Sequence, residues 1–518
     1  MKMKRESSLP KAPKMRPVIL LLAFGLVFVL FLFGCVSHQN SSGKSIKIGI
    51  EANPSQLDPR LATDAYGQRI DSLLFGKLVR LNSSSEIKGD LAQSWEVNGP
   101  YIYKFRLKKN LKFSDGSPLT SEDVRFTFES VLDPKLASPH RKTYESIDHI
   151  ETPDSDTVIF YLKKPYAPFL FSLTMGIVSK KKGGEIGSGP FQLLEWNPDE
   201  RLVLIANPNF NGPPPKIGEI VIKIIPEDTI REMELQKGSI DLIENALPPD
   251  FLPFLEKDPH FTVYETEGTT YAYLGLNLQD PILSRKKVRQ AIAYSINREA
   301  IIKEVLKGLG KPATGLLASS HWAYEGKVET YPYDPRKAIS LLDSAGIPVP
   351  ATGEPRFKLI FKTSQNDLSK RIGEVLQQQL KEVGIQMEIR TFEWGTFYSD
   401  IKSGNFQLYS LRWVGIQDPD IYYDLFHSTS IPPLGANRGH YSNPEIDQLV
   451  EEGRVTFDTE KRKNIYQKIQ KIISEDLPYI NLWTFSNVTV LKKGLLGFIP
   501  DPSGDFYNFK DLYWEKTN

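Results

Sequence analysis

Chemistry in a folded chain needs particular side chains at particular spacings, and the first candidates here are seven histidines: His38, His140, His149, His260, His321, His427 and His440. No two stand three or four residues apart, so no helix can present a neighbouring pair to a metal ion. Ordinary surface or core roles are expected for them. Carboxylate pairs such as Glu451 with Glu452, or Asp418 with Asp420, are the residue types of a general acid and base, since hydrolysis needs one proton donor and one acceptor. No Gly-x-Ser-x-Gly elbow accompanies them. Gly43-Lys44-Ser45 has the end of a phosphate loop, but His38 occupies the position where its first glycine is needed. Gly308-Leu309-Gly310 runs into Lys311 and Pro312 and lacks the third glycine of a dinucleotide turn. The chain is therefore expected to be no enzyme, and to use no metal or cofactor.

One cysteine exists, Cys35, and its setting is informative. The basic residues Lys2 to Arg16 lead into an apolar run, Val18 to Phe33, which ends at Gly34 and Cys35. A charged start, an apolar stretch and a small-residue stop describe a secretory signal. The sequence Leu32-Phe33-Gly34-Cys35 resembles the bacterial lipobox, whose cysteine becomes the acylated first residue of the mature protein, although Phe33 replaces a smaller residue. An uncleaved signal anchor is the alternative, because the run falls slightly short of a full membrane span. Either way the body is expected outside the cytoplasm and held to a membrane, with residues 1–34 as signal and residues 35–44 as acylated cysteine and tether. A single cysteine leaves no disulfide to consider.

Apolar residues make up 40% of the chain and charged residues 25%, which marks a globular protein. The formal net charge of +1 conceals an asymmetry, because the basic leader leaves the remainder mildly acidic. No basic stripe remains to hold a phosphate backbone, so nucleic-acid binding is excluded.

The elements follow from periodicity. Ile46, Ile48 and Ile50 alternate, as do Tyr101, Tyr103, Phe105 and Leu107 after an Asn98-Gly99 turn, then Leu202 with Leu204, and Ile220, Ile222 and Ile224. Each is the period of a half-buried strand. Gly187 to Pro190 and Pro213 to Pro215 punctuate this half. Beyond about residue 275, Val288, Ala291, Ile292 and Ile296 take helical spacing. Phe357, Leu359 and Phe361 alternate, Ile372 to Val383 repeat helically up to Gly384, and Ile385, Met387 and Ile389 alternate again. That βαβ order requires a parallel sheet. At 518 residues, two or more lobes are expected, with small ligands held between them.

A series of motifs then resembles the peptide-binding (family 5) solute-binding proteins of bacterial ABC importers. It comprises Leu91-Ala92-Gln93-Ser94-Trp95, Tyr103 to Lys108, Lys112 to Val124, Gly187-Ser188-Gly189-Pro190-Phe191, and Asn207-Pro208-Asn209-Phe210. Lys237 to Asp241, Val288 to Arg298, Tyr333-Asp334-Pro335, Tyr441 to Asp447 and Glu475-Asp476-Leu477-Pro478 follow in the same order. The resemblance implies an α/β fold of the two-lobed periplasmic-binding-protein type II (cluster C), with an extra domain inserted in the first lobe. It places the first lobe at residues 45–78, 186–272 and 486–518, the inserted domain at 79–185 and the second lobe at 273–485. The chain would cross between lobes near Leu276 to Leu278 and Leu482 to Phe485.

The resemblance also implies a function: capture of a short peptide or similar small solute by a monomer, and delivery to an ABC permease and its ATPase. A tethered sensor or chaperone, a nickel, haem or oligosaccharide binder, and a secreted hydrolase are the alternatives. Peptide-binding relatives pair the ligand amine with an aspartate in a Trp-x-x-Asp segment, where this chain reads Trp413-Val414-Gly415-Ile416-Gln417-Asp418. Ile416 stands at that aspartate's place, leaving Asp418 either to take the amine or to cap a turn. Trp394 and Trp413 match pocket aromatics or pack in the core. Asn437 and Arg438 reach a ligand carboxylate or sit in a solvated loop. Glu51, Ala52 and Asn53 occupy the family's loop at the cleft mouth, and Tyr271 lies near a lobe crossing. Gly415 belongs to the same ligand-facing segment.

Overall fold

A computed structural model describes residues 45–82 and 86–515; the signal, Cys35 and the tether lie outside the described residues. β1 (Ser45–Ile50) buries Ile46, Ile48 and Ile50, as their alternation predicts. After a short hairpin, β2 (Val79–Leu81) with β3 (Ile87–Gly89), the chain builds a separate antiparallel sheet. Its strands are β4 (Ala92–Asn98), β5 (Ile102–Leu107), β6 (Ile147–Asp154) and β7 (Thr157–Leu162), in the order β4-β5-β7-β6. The helix Ser121–Leu132 packs on it, started by a capping box between Thr120 and Asp123. Phe105, Phe128 and Phe160 meet edge-to-face inside, so this inserted unit has a core of its own.

All remaining long strands join one sheet. They are β8 (Phe191–Asn197), β9 (Arg201–Ala206), β10 (Glu219–Ile224), β11 (Leu242–Glu244) and β12 (Phe261–Leu276). β13 (Gly310–Pro312), β14 (Phe357–Ser364), β15 (Ile385–Phe392), β16 (Leu408–Trp413) and β17 (Tyr479–Lys492) complete it. The order is β15-β14-β16-β12-β17-β11-β1-β10-β9-β8, with β13 beside β17. β14 and β15 run parallel, Phe357 opposite Ile385, and the helix Asp367–Glu382 connects them. Asn366 caps that helix, Ile372, Leu376 and Leu380 form its buried stripe, and Gly384, at φ +83°, turns the chain into β15.

Among the described residues, only β12 and β17 belong to both halves of the sheet. At one end Phe261 to Glu267 pair with Lys492 to Ser486, and β11 joins β17 at Leu491. At the other, Tyr271 to Gly275 pair with Thr484 to Tyr479, and β16 joins β12 from Tyr271 onward. Between Glu267 and Tyr271 the register shifts. The first crossing therefore lies at Gly268 to Thr270, upstream of the Leu276 to Leu278 expected from sequence. Leu276 instead pairs with Leu408 well inside the second lobe's half of the sheet.

Glycine is required at this crossing because a Cβ on Gly268 would lie 2.5 Å from the Phe485 carbonyl oxygen and 3.0 Å from the Asn487 side-chain oxygen. Gly268→Ala is expected to lower stability by about 1–3 kcal/mol, the usual penalty of forcing extra volume into a packed site. Urea denaturation checks it, an unchanged midpoint being the contrary result.

Candidate functional site

Beside the crossing lies a cavity of about 350 Å3, walled by four parts of the chain. The inserted unit and its approach supply Lys77 and Thr174, the crossing supplies Thr269, the segment after β16 supplies Gly415 to Gln417, and a late segment supplies Asp501 and Asp505. Gly415 has φ +68°, which lets the segment after β16 turn sharply away. On the first-lobe side Arg80 pairs with Asp90 at 2.6 Å and stacks 3.9 Å from the Tyr507 ring centroid. Lys77 has no ion pair among the described residues and lines the same cavity as Asp501 and Asp505, so the cavity carries both signs of charge.

Four expected site residues come together in an aromatic stack. Trp413 lies parallel to Tyr273 at 6.3 Å, and Tyr273 is parallel to Tyr271 at 5.9 Å. The Arg438 guanidinium sits 5.0 Å from the Trp413 centroid and 5.6 Å from that of Tyr398, and Tyr398 in turn stacks on Trp394 at 5.7 Å. Trp394 itself is 56% exposed at the start of its helix, while the Trp413 indole N–H is buried without a partner. Tyr271 is fully buried and donates its hydroxyl to Asn481. Desolvation holds the Tyr271 and Tyr273 hydroxyls well above the usual phenol range, so both stay neutral donors.

The polar candidates are placed differently. Asp418 makes two hydrogen bonds with Arg462, at 2.6 and 2.8 Å, and both side chains are nearly buried. That carboxylate is already neutralised, so it does not await a ligand amine. Asn437 is buried and spent on backbone: its amide donates to the His427 and Tyr441 carbonyls, and its oxygen accepts from the Tyr441 N–H at 2.9 Å. Rather than lying in a solvated loop, Arg438 is 7% exposed and donates to the Tyr273 hydroxyl at 3.1 Å and the Tyr398 hydroxyl at 3.4 Å. These hydroxyls and the Trp413 and Tyr398 faces hold its guanidinium in place. Glu51 and Ala52 are exposed beyond β1, and Asn53 accepts a hydrogen bond from the Trp196 indole at 3.3 Å. Asp420, near Asp418, links the inserted unit to the second lobe through Tyr166 at 3.0 Å and Arg454 at 3.0 Å.

Sequence reasoning missed Lys77, Thr269 and the Asp501 to Asp505 segment. Asp501-Pro502-Ser503-Gly504 does carry a turn signal, but nothing local places it at a cleft. Arg412, beside Trp413 in β16, was also missed. Among the described residues no group of three histidine, cysteine or acidic side chains could hold a metal ion, and no helix is long and apolar enough to cross a membrane.

Comparison with known proteins agrees with this geometry. The model of bacterial extracellular solute-binding proteins, family 5 (middle), matches residues 86–432. The probable D,D-dipeptide-binding periplasmic protein of Escherichia coli is 29% identical over 512 residues, covering 94% of this chain and 96% of the relative. The Bacillus subtilis oligopeptide-binding protein in complex with a nonapeptide superposes with TM-score 0.81 at 27% identity, covering 92% of this chain and 99% of that one. A Campylobacter jejuni protein in complex with nickel and L-histidine gives TM-score 0.81 at 26% identity, over 90% of this chain and 99% of the other.

Removing the acid from the buried ion pair leaves Arg462 uncompensated, so Asp418→Ala is expected to cost about 3–5 kcal/mol of stability, against at most about 0.5 kcal/mol for Trp394→Ala on the surface. Guanidinium denaturation of both variants checks the contrast.

A second expectation concerns pH. Glu244 is buried with one carboxylate oxygen unpartnered, and desolvation raises its pKa from 4.5 to about 8, Arg69 opposing and Asp501 and Asp505 adding to the rise. Between those values the folded chain binds the proton more tightly than the unfolded chain. Stability contributed by this group is therefore full below pH 4.5 and lost as pH rises toward 8. Glu244→Gln is expected to flatten the fall measured by thermal unfolding across this range, and an unaltered profile would remove Glu244 as its source.

Proposed function

We infer the function from the family: this chain belongs to the bacterial extracellular solute-binding proteins of family 5. Its members work outside the cytoplasm in ABC import. The role supported best is capture of a short peptide or similar small solute, followed by delivery to a membrane permease driven by a cytoplasmic ATPase. The chain itself catalyses nothing. One observation carries the reading: the cavity draws its walls from segments of both lobes, with Thr269 at the crossing between Gly415 to Gln417 after β16 and Asp501 to Asp505, and among the described residues β12 and β17 are the strands that join the two halves of the sheet. A ligand touching both walls binds the closed arrangement better than the open one, and that difference in affinity is what shifts the equilibrium a permease can sense. Trp394, exposed at the edge of the aromatic stack, offers a flat face suited to peptide planes.

Peptide is the favoured reading because two of the three relatives are peptide binders by name, while the third, in complex with nickel and L-histidine, matches over nearly as much of the chain. With Ile416 in the Trp413 segment and Asp418 committed to Arg462, a ligand amine has to find Asp501, Asp505 or Glu51 instead. The function also requires that the body stay at the membrane, which acylation of Cys35 after removal of residues 1–34 would achieve.

Native mass spectrometry of the full chain, extracted in detergent from its own host, tests the ligand. A ladder of masses corresponding to short peptides is expected, whereas one defined non-peptide mass reassigns the solute. Metabolic labelling with a fatty acid tests the anchor: the wild type is expected to take the label and Cys35→Ser to lose it. Label retained by the variant would put the anchor elsewhere.

A further inference from the structure

Successive residues of a strand face opposite sides of the sheet. Trp413 turns toward the aromatic stack, so Arg412 turns to the other face, opposite the small side chain of Ala272. There its guanidinium lies 4.1 Å from the centroid of the Phe485 ring. Stacking on an aromatic face leaves the N–H edges of a guanidinium free for a planar, bidentate partner. No hydrogen bond or ion pair takes them up among the described residues, in contrast to Arg462 on Asp418 or Arg371 on Asp250. Protein surrounds Arg412 closely enough for desolvation to lower its pKa, while Glu51 across the gap opposes that shift; the side chain nonetheless stays open to solvent. Among the described residues it is an exposed cation without an ion pair.

Arg412 also lines a second cavity, of about 110 Å3. The walls are Leu247 and Leu252 from the first lobe, Leu306, Leu309 and Leu368 from the second, and Phe485 at the crossing. An apolar cavity of ~150 Å3 holds a benzene molecule in an engineered protein, so this smaller one suits a branched aliphatic group. Asp250, next to this wall, bridges the lobes to Arg371 at 2.6 Å and Lys307 at 3.3 Å. Cavity and cation are thus adjacent, and both lobes enclose them.

We propose that Arg412 and this apolar cavity form a subsite for the carboxyl end of the ligand, with the carboxylate on Arg412 and an aliphatic side chain from the same residue in the cavity. The chemical class is a peptide ending in leucine, isoleucine or valine with a free carboxylate. An α-carboxylate and its side chain leave the same carbon, which matches a cation set at the mouth of a small apolar hole. The inference rests on the solute-binding reading and sharpens it to one end of one ligand class.

The test uses the full chain in detergent and two probes, Ala-Ala-Leu and 4-methylpentanoate, which carries only the carboxylate and the branched chain, with Ala-Ala-Gly and the C-terminal amide of Ala-Ala-Leu as controls. Binding is followed by calorimetry, and protection of Arg412 from phenylglyoxal is mapped by mass spectrometry. The free acids are expected to bind and protect Arg412, and the amide to bind about 10- to 100-fold more weakly, as loss of a charge-assisted pair implies. Arg412→Gln, whose fold is checked by circular dichroism, is expected to erase the difference between acid and amide. Leu306→Phe, which fills the cavity, should weaken Ala-Ala-Leu more than Ala-Ala-Gly. If Ala-Ala-Leu binds Arg412→Gln as tightly as the wild type, the subsite is wrong while solute binding stands. Where only 4-methylpentanoate binds, and does so through Arg412, the subsite stands and the peptide reading falls. Failure of both probes to bind overturns the subsite.

Discussion

The structure depends on how few strands pass between its halves. A hydrogen-bonded sheet resists bending along its length, so two halves of one sheet would ordinarily move as one. Here continuity rests on β12 and β17 alone, and their ladder is broken between Glu267 and Tyr271, where Gly268 brings two backbones too close for any side chain. Each half closes its own apolar core, Ile46 to Leu204 on one side and Leu274 to Met387 on the other. What lies between them is left to solvent and ligand. Relative motion of such units is the default where their interface is small and polar, and Asp250 with Arg371 is an interface of that kind.

Burying charge is costly, and the second lobe shows how the cost is met. Arg462 has Asp418, Arg289 has the carbonyls of Leu283, Ser284, Asp476 and Leu477, and Arg298 has those of Ala293, Tyr331 and Asn481. Arg438 is held by tyrosine hydroxyls and by the faces of Trp413 and Tyr398. A planar guanidinium can do this and an ammonium cannot. The consequence is rigidity: the Trp413 ring rests on a cation whose own position is fixed by two phenols. Preorganisation of that sort reduces the ordering a ligand must impose.

Much of the architecture was legible in the chain, and the parts that were not share a cause. Ile46 to Ile50 and Ile385 to Ile389 alternate because one face of each strand is buried, and burial writes itself directly into period two. The crossing did not show, because Tyr271 to Leu276 is a continuous run buried on both faces and carries no boundary signal of its own. Residue types at the site were read sensibly, but their partners were remote. Nothing near Asp418 announces Arg462, 44 residues later. Asn437 looked like a ligand contact because an exposed loop and a buried backbone clamp have the same composition. Arg412 was passed over because its neighbour Trp413 matched a pattern and it did not.

That neighbour relation shows how tightly function is tied to register here. β16 gives Trp413 to one face and Arg412 to the other, and a slip of one residue would exchange them. The aromatic stack would then receive a second arginine, and the apolar cavity would be blocked by an indole. The strand is protected from this by pairing on both edges: Tyr271 to Leu276 of β12 on one side, Phe361 and Lys362 of β14 on the other. Leu408 and Tyr409, which carry the β14 contacts, are fully buried. The packing that stabilises the second lobe is therefore the same packing that decides which side chain meets the cleft, and a change in the core of this strand reaches the binding surface without any contact to ligand.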